Sequence, residues 1–180
     1  MKRLIKKSNI DKNIPLENKL KQLNDIGQHK TYVLKCSTTL ANYLMVNNRE
    51  QDALNVMKRA FKHDFSKLTD EEFYGMAKFV NEIQVTKDSN NRSEENEYYI
   101  DLHRDNNKHH PEYWKDINNI TELDIMELAC DWCSRSVQFN TDVIEFLEDV
   151  QETRFHFPED IYNNIKKYLL IITEELKKEI

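Results

Sequence analysis

Residues 161–176 read IYNNIKKYLLIITEEL. Ile161, Ile165, Leu169, Ile172 and Leu176 recur at spacings of four, four, three and four, a pattern that lines one face of an α-helix and matches no face of a strand, whose side chains repeat every two residues. A helix over about 158–179 follows, docked by that stripe. The same periodicity recurs upstream, and no segment of convincing two-residue alternation competes with it. The chain therefore reads as all-α, a single-domain helical bundle of about six to eight helices.

Working backward from that helix, two more are expected near 142–154 and 122–138, the latter carrying Met126, Cys130, Cys133 and Val137. Thr121-Glu-Leu-Asp124 resembles a capping box with Asp in place of the usual Glu, flanked by Ile120 and Ile125 as a hydrophobic staple. Thr69-Asp-Glu-Glu72 is a second capping-box pattern, opening a helix that carries Phe73, Met76, Ala77 and Val80 inward. Ser93 caps a helix running through Tyr98, Tyr99, Leu102 and His103. Toward the N-terminus, Ala53, Leu54, Met57, Ala60 and Phe61 mark a helix from about 50 into His63, and Tyr32, Val33, Cys36, Leu40, Tyr43 and Leu44 mark one starting near His29. A short helix over about 16–25 precedes them. The expected organisation is a loosely held arm over 1–15 and one domain over 16–180, with a motif-bearing core at 29–140 and closing helices at 142–180. Residues 86–92, TKDSNNR, have turn composition and no apolar anchor, so a mobile loop is expected there.

Composition excludes several functions. The chain has 180 residues, enough for one domain with a core. Its 26 Lys and Arg against 32 Asp and Glu interleave rather than segregate, which argues against a broad nucleic-acid surface. Gly27 and Gly75 are its two glycines, too few and too isolated for a dinucleotide fingerprint or a Walker-type phosphate loop. Phosphate, if handled at all, must be handled by metal or side chains. No apolar run approaches the roughly 20 residues that span a bilayer, and the basic start MKRLIKK turns polar without a signal-peptide core. A cytoplasmic protein with no membrane role is expected. Three cysteines, an odd number, suggest reduced thiols. Cys130 and Cys133 are formally CxxC but lie inside a helical pattern, so they read as buried thiols rather than a redox pair.

The histidines carry the chemistry. Lys62-His63-Asp64-Phe65-Ser66-Lys67 sets an imidazole beside a carboxylate at the end of an apolar helix. Adjacent helical residues diverge by a quarter-turn or more, so both can bind only an ion lying at the helix surface between their directions. His29 begins the preceding helix, His103 lies near the end of a later one, and His109 and His110 follow in NNKHHPEYW, residues 106–114. There Pro111 turns the chain into a loop or fresh helical turn. Asp131 lies mid-helix in MELACDW, four residues after Glu127 and on the same face. A carboxylate beside Trp132, Leu128, Ala129 and Cys130 is poorly solvated and needs a partner, for which a metal qualifies.

The order His29, His63-Asp64, His103, His109 or His110, Asp131 resembles the ligand order of the HD superfamily of metal-dependent phosphohydrolases, and HDFSK resembles its HD-x-x-K element. More narrowly, HDFSKLTDEEF, NKHHPEYW and ELACDW resemble an uncharacterised family of small bacterial and phage proteins. The resemblance covers about residues 29–140. It implies a helical bundle around one or two divalent metal ions. One ion would take His29, His63, Asp64 and Asp131, and a second would share Asp64 and add His103 with His109 or His110. Imidazole with carboxylate suits iron, manganese or zinc better than magnesium.

The implied activity is hydrolysis of a nucleotide or other small phosphorylated molecule. Lys67 would bind phosphate, Asp64 and Glu127 would join the catalytic set, and Asn107, Tyr113 and Trp114 would contact substrate. Glu127 either orients a ligand histidine or activates water. The short spacing from His103 to His109 leaves the metal count open. Two further readings stand beside this one: a di-iron oxygenase of the same superfamily, and a non-catalytic interaction protein that retains the scaffold. A homodimer is left open.

Overall fold

A computed structural model describes residues 12–85 and 93–178 of the chain. Among the described residues there are seven α-helices and no strand: α1 (Leu16–Val46), α2 (Glu50–Lys62), α3 (Asp70–Val85), α4 (Glu94–Asn106), α5 (Glu122–Phe139), α6 (Val143–Val150) and α7 (Glu159–Lys178). The all-α class is the one the periodicity predicts. Residues 1–11 of the expected arm, and the whole of the expected loop over 86–92, lie outside the described residues.

One helix replaces two at the N-terminus. The short helix expected over about 16–25 and the helix expected from His29 are a single 31-residue α1. Gly27 lies in the middle of it and Thr31 Oγ1 donates to the Gly27 carbonyl at 3.0 Å. A lone helical glycine costs about 1 kcal/mol against alanine, which does not stop propagation where no proline or turn cluster accompanies it.

The described residues divide into two compact units, 12–26 with 64–85 and 93–106, and 27–63 with 107–178. In the smaller unit, a 3₁₀ turn over Phe65–Leu68 leads into α3, and Met76, Phe79 and Tyr99 form a core flanked by Tyr98 and Leu102. Gly75 permits the close approach of α3 and α4: a Cβ there would lie 2.2 Å from Tyr99 Cδ1. Ser93 caps α4 as expected, its Oγ accepting from Asn96 N at 3.2 Å. The capping box expected at Thr69–Glu72 is a different arrangement. Thr69 Oγ1 donates to the Ser66 carbonyl at 2.7 Å, and the Glu72 carboxylate accepts from Ser66, His103 and Asn106.

The larger unit is built on α5. From Asp124 to Ser134 every residue of this helix except Glu127 is buried, so α5 is enclosed nearly all round. Cys36, Leu40 and Leu44 of α1, Ala53 and Val56 of α2, Val143, Leu147 and Val150 of α6, and Ile161, Ile165, Tyr168, Leu169 and Ile172 of α7 complete its core. The α7 stripe is buried as its spacing predicts, and the Thr121–Asp124 capping box is formed. On α2 the inward face differs from the expected one. Val56 is buried, whereas Leu54 and Phe61 are exposed; the helix turns Ala53, Val56 and Ala60 inward at spacings of three and four, and the other two apolar residues fall on the neighbouring stripe. Val137 of α5 is likewise exposed. The helix expected through 154 ends as an α-helix at Val150 and widens into a π-helical turn over Gln151–Phe155. His156, exposed and left-handed at φ 48°, closes that turn. Cys36, Cys130 and Cys133 are free and buried, and burial pushes the Cys130 and Cys133 thiols well up, so they stay protonated. No described helix is long and apolar enough to cross a membrane.

Candidate metal centre

A nearly all-buried helix must satisfy every polar group it carries, and α5 carries four along one region: Asp124, Glu127, Asp131 and Ser134. Glu127, Asp131 and Ser134 follow at intervals of four and three, which puts them on one face. That face meets histidines delivered by α1, by the end of α2 and by the loop before residue 111.

His63 is not a helical residue. The α-helix ends at Lys62, His63 takes the C-cap with φ −50° and ψ 130°, and Asp64 follows in the left-handed region at φ 58°. The dipeptide therefore does not present two adjacent helical side chains, as the sequence suggested. The helix end is capped by Lys30 of α1, whose ammonium donates to the carbonyls of Ala60 at 3.0 Å, Phe61 at 3.1 Å and His63 at 2.5 Å. Lys30 thereby fixes the backbone from which His63 projects.

Within the larger unit, three donor atoms converge. His29 Nε2 lies 3.3 Å from His63 Nε2 and 3.1 Å from Asp131 Oδ1, and His63 Nε2 lies 3.6 Å from the same oxygen. All three residues are buried. His109 joins them: its ring centroid is 4.2 Å from that of His63, and His63, His109 and Asp131 can each offer a ligand atom with all three atoms within 4.8 Å of one another. The His110 ring lies tilted beside His109, centroids 4.3 Å apart, but is only half-buried. Within this unit, then, His109 is the member of the pair that shares the cluster with His63 and Asp131.

The far side of His63 is wired. Its Nδ1 lies 3.1 Å from Glu127 Oε1, and Arg59 Nη1 donates to Glu127 Oε2 at 3.0 Å and to Asp124 Oδ1 at 2.5 Å. Burial pushes the Glu127 carboxyl up, but hydrogen bonds and charge from His109 and His63 outweigh it and hold Glu127 well below the usual carboxylate range. An ionised carboxylate only accepts, so Nδ1 of His63 donates the bond to Glu127. Asp131 is held ionised in the same way: burial raises it and the hydrogen bonds to His29 and His63 lower it further. Of the two roles expected for Glu127 from the sequence, orienting a histidine or activating water, its contact with His63 Nδ1 at 3.1 Å suits the first. The other partner of Glu127, Arg59 of α2, was not singled out from the sequence, and no spacing links it to Glu127, 68 positions away.

The donor set fits a transition-metal ion. Ligand atoms about 2.0–2.2 Å from one cation at tetrahedral or octahedral angles are separated by about 2.8–3.6 Å. The separations of 3.1, 3.3 and 3.6 Å fall within that range, the last at its upper end. Imidazole nitrogens with one carboxylate oxygen suit zinc, iron or manganese.

The smaller unit holds a second, related cluster. Asp64 Oδ1 lies 3.3 Å from His103 Nε2, and Lys67 Nζ pairs with Asp64 Oδ2 at 2.6 Å. His103 Nδ1 lies 2.9 Å from Glu72 Oε2, which also accepts from Ser66 Oγ at 2.8 Å, while Asn106 Nδ2 donates to Glu72 Oε1 at 2.6 Å. Burial raises the Glu72 carboxyl and the His103, Asn106 and Ser66 hydrogen bonds lower it further, leaving it below its ordinary value. Glu72, fully buried, is a site residue that sequence reasoning assigned to helix capping. No sequence spacing links it to His103, 31 positions away.

Of the residues expected to contact substrate, Lys67 is engaged with Asp64. In the larger unit, Asn107 O accepts from His110 N at 3.1 Å. Trp114 Nε1 donates to the Lys108 carbonyl at 2.9 Å, and the Tyr113 ring lies edge-on to Trp114. Trp114 therefore closes the 108–114 loop on itself, and Glu112 in that loop pairs with Arg154. A turn of 3₁₀ helix over Pro111–Tyr113, with Pro at its start, shapes this stretch.

Neither a curated protein nor a solved structure matches the chain. The sequence model of one family matches residues 18–175, a span that takes in every histidine and carboxylate described above, and the chain belongs to that family, a family of unknown function (DUF5662).

Proposed function

We propose that this protein is a metal-dependent phosphohydrolase acting on a nucleotide or another small phosphorylated molecule. The observation that carries the proposal is the convergence of His29 Nε2, His63 Nε2 and Asp131 Oδ1 at 3.1–3.6 Å, with the far nitrogen of His63 held by an ionised Glu127. Two imidazole nitrogens and a carboxylate oxygen at such separations can share one divalent cation. When bound, a divalent cation supplies Lewis acidity, lowering the pKa of a water and neutralising a phosphate oxygen.

The chain's own residues have distinct tasks in this reading. His29, His63 and Asp131, with His109, hold the ion. Glu127 keeps the Nδ1 proton of His63 in place, and Arg59 braces Glu127 from its other oxygen. Asp64 enters through the sequence, as the carboxylate of the HD pair, and Lys67 is the cation assigned to the substrate's phosphate.

The test begins with protein purified without chelators or a metal-binding tag. Elemental analysis of wild type beside His63→Ala and Asp64→Ala should find about one or two equivalents of zinc, iron or manganese in wild type, and little in His63→Ala. Phosphate release from nucleotides and simple phosphomonoesters, measured without oxygen, should follow metal content and stop on chelation. Metal-free wild type that still releases phosphate, or failure to bind any of the three metals, overturns the proposal. Turnover that requires oxygen would move the chemistry to the di-iron oxygenase reading.

A further inference from the structure

Helix α2 carries more apolar surface than its core face uses. Ala53, Val56 and Ala60 are buried, and beside them Leu54, Met57 and Phe61 form a second stripe at spacings of three and four. Leu54 is 49% exposed and Phe61 61%, while Met57 lies half-buried at the edge of the core. Thr38 Oγ1 of α1 donates to Met57 Sδ at 3.8 Å, so α1 borders the stripe without covering it. Scattered exposed apolar residues are ordinary, but a leucine and a phenylalanine two turns apart on one helix face, joined by a methionine, have the form of a packing seam.

The charges at the two ends of α2 are also unused. Glu50 opens the helix and Lys62 closes it, both exposed, and among the described residues neither side chain enters an ion pair. Exposed charges elsewhere find partners, as Lys78 does with Glu95 and Lys166 with Glu148.

We infer that the outward face of α2 is a self-association surface, on which two copies of this chain pair α2 against α2, antiparallel, about a two-fold axis. Such a contact uses the same face of both copies. Setting residue 50 of one copy opposite residue 62 of the other overlaps the helix from end to end and forms the Glu50–Lys62 pair twice. Leu54, Met57 and Phe61 of both copies then share one seam. Lys58 of one copy falls opposite Leu54 of the other, where its aliphatic stem covers the leucine and its ammonium stays in water. The antiparallel arrangement also opposes the helix dipoles favourably. A parallel pairing would set Glu50 on Glu50, Lys58 on Lys58 and Lys62 on Lys62, so charge selects one of the two orientations. The whole surface lies within the larger unit, and the inference does not depend on what the metal centre binds.

Sedimentation equilibrium on the full chain over about 1–300 μM should show reversible exchange between monomer and dimer, the behaviour of an interface at the small end of the size range. Phe61→Glu should leave monomer alone. Glu50→Lys and Lys62→Glu should each weaken the dimer about 5- to 30-fold, because the axis repeats every change twice. The double variant Glu50→Lys/Lys62→Glu should return to within about threefold of wild type, since the two reversals restore the pair. These three residues are exposed, so far-ultraviolet circular dichroism should be unchanged, and the charge variants carry the test even if Phe61→Glu fails to fold. Monomer at every concentration overturns the inference and leaves the stripe to a different partner. A dimer indifferent to Phe61→Glu, or charge reversals whose losses add in the double variant instead of cancelling, overturns it as well.

Discussion

Glu127→Gln removes one charge and one acceptor from a group on which three donors converge. Arg59 Nη1 lies 3.0 Å from Oε2, His63 Nδ1 3.1 Å from Oε1 and His109 Nδ1 3.5 Å from the same Oε1. A glutamine offers one carbonyl oxygen and turns a donating amide to the other side. Either Arg59 or His63 then faces a donor, and the same Arg59 nitrogen has a second carboxylate within reach, Asp124 at 2.5 Å, whereas His63 Nδ1 has Glu127. The expected arrangement keeps the amide toward Arg59 and the carbonyl toward His63, losing one charge-assisted bond worth about 1.5–3 kcal/mol and leaving a donor opposed, at about 1–3 kcal/mol more. The total, about 2.5–6 kcal/mol, is centred on the usual cost of about 3–5 kcal/mol for breaking a buried ion pair from one side, which sets the expected loss. For a chain of this length about 2–4 °C accompanies each kcal/mol, so the melting temperature should fall by about 6–20 °C. Urea unfolding followed by far-ultraviolet circular dichroism on metal-free protein at neutral pH measures it. A loss below about 1 kcal/mol, the size of an ordinary exposed pair, would refute the claim that Glu127 is the electrostatic anchor of this face.

The two glycines should respond in opposite senses. Gly27→Ala, in open space on α1, should stabilise by about 0.5–1 kcal/mol through helix propensity. Gly75→Ala, whose Cβ would meet the Tyr99 ring at 2.2–2.5 Å, should destabilise by about 1–3 kcal/mol through overpacking; thermal melts of the pair that move together would contradict this packing. Alkaline titration probes the larger unit's polar cluster, where Tyr168 donates to Glu122 and Arg49 Nη1 lies 2.9 Å from the phenol oxygen. Burial, reinforced by the bond to Glu122, pushes the phenol up to about 12. A folded pKa above the unfolded value of about 10 favours the neutral phenol in the fold, so that contribution is complete below pH of about 10 and is lost as pH rises toward about 12. Wild type should lose stability over that window relative to Tyr168→Phe, and parallel pH profiles for the two proteins would show that Tyr168 is not the group responsible.

Helical class, the existence of most helices and the buried stripe of α7 follow from apolar spacing, because burial on a helix repeats every three to four residues whatever the helix packs against. The capping box at Thr121 and the cap at Ser93 were legible for a similar reason: their partners lie within three residues along the chain. His29, His63, His109, Glu127 and Asp131 could be picked out as chemistry-bearing because buried imidazoles and carboxylates are costly unless paired. What spacing could not convey is pairing across distance. Whether Glu72 caps its own helix or holds His103, which of His109 and His110 joins His63, and which stripe of α2 turns inward depend on elements far apart in sequence. The same is true of Arg59 and Ser134, ordinary helical residues until α5 brings Glu127 to one and α1 brings His29 to the other. Residue types with donor atoms are written in the sequence, but the direction in which each donor points is decided by the three-dimensional set of acceptors around it, and that set exists only once the helices have packed.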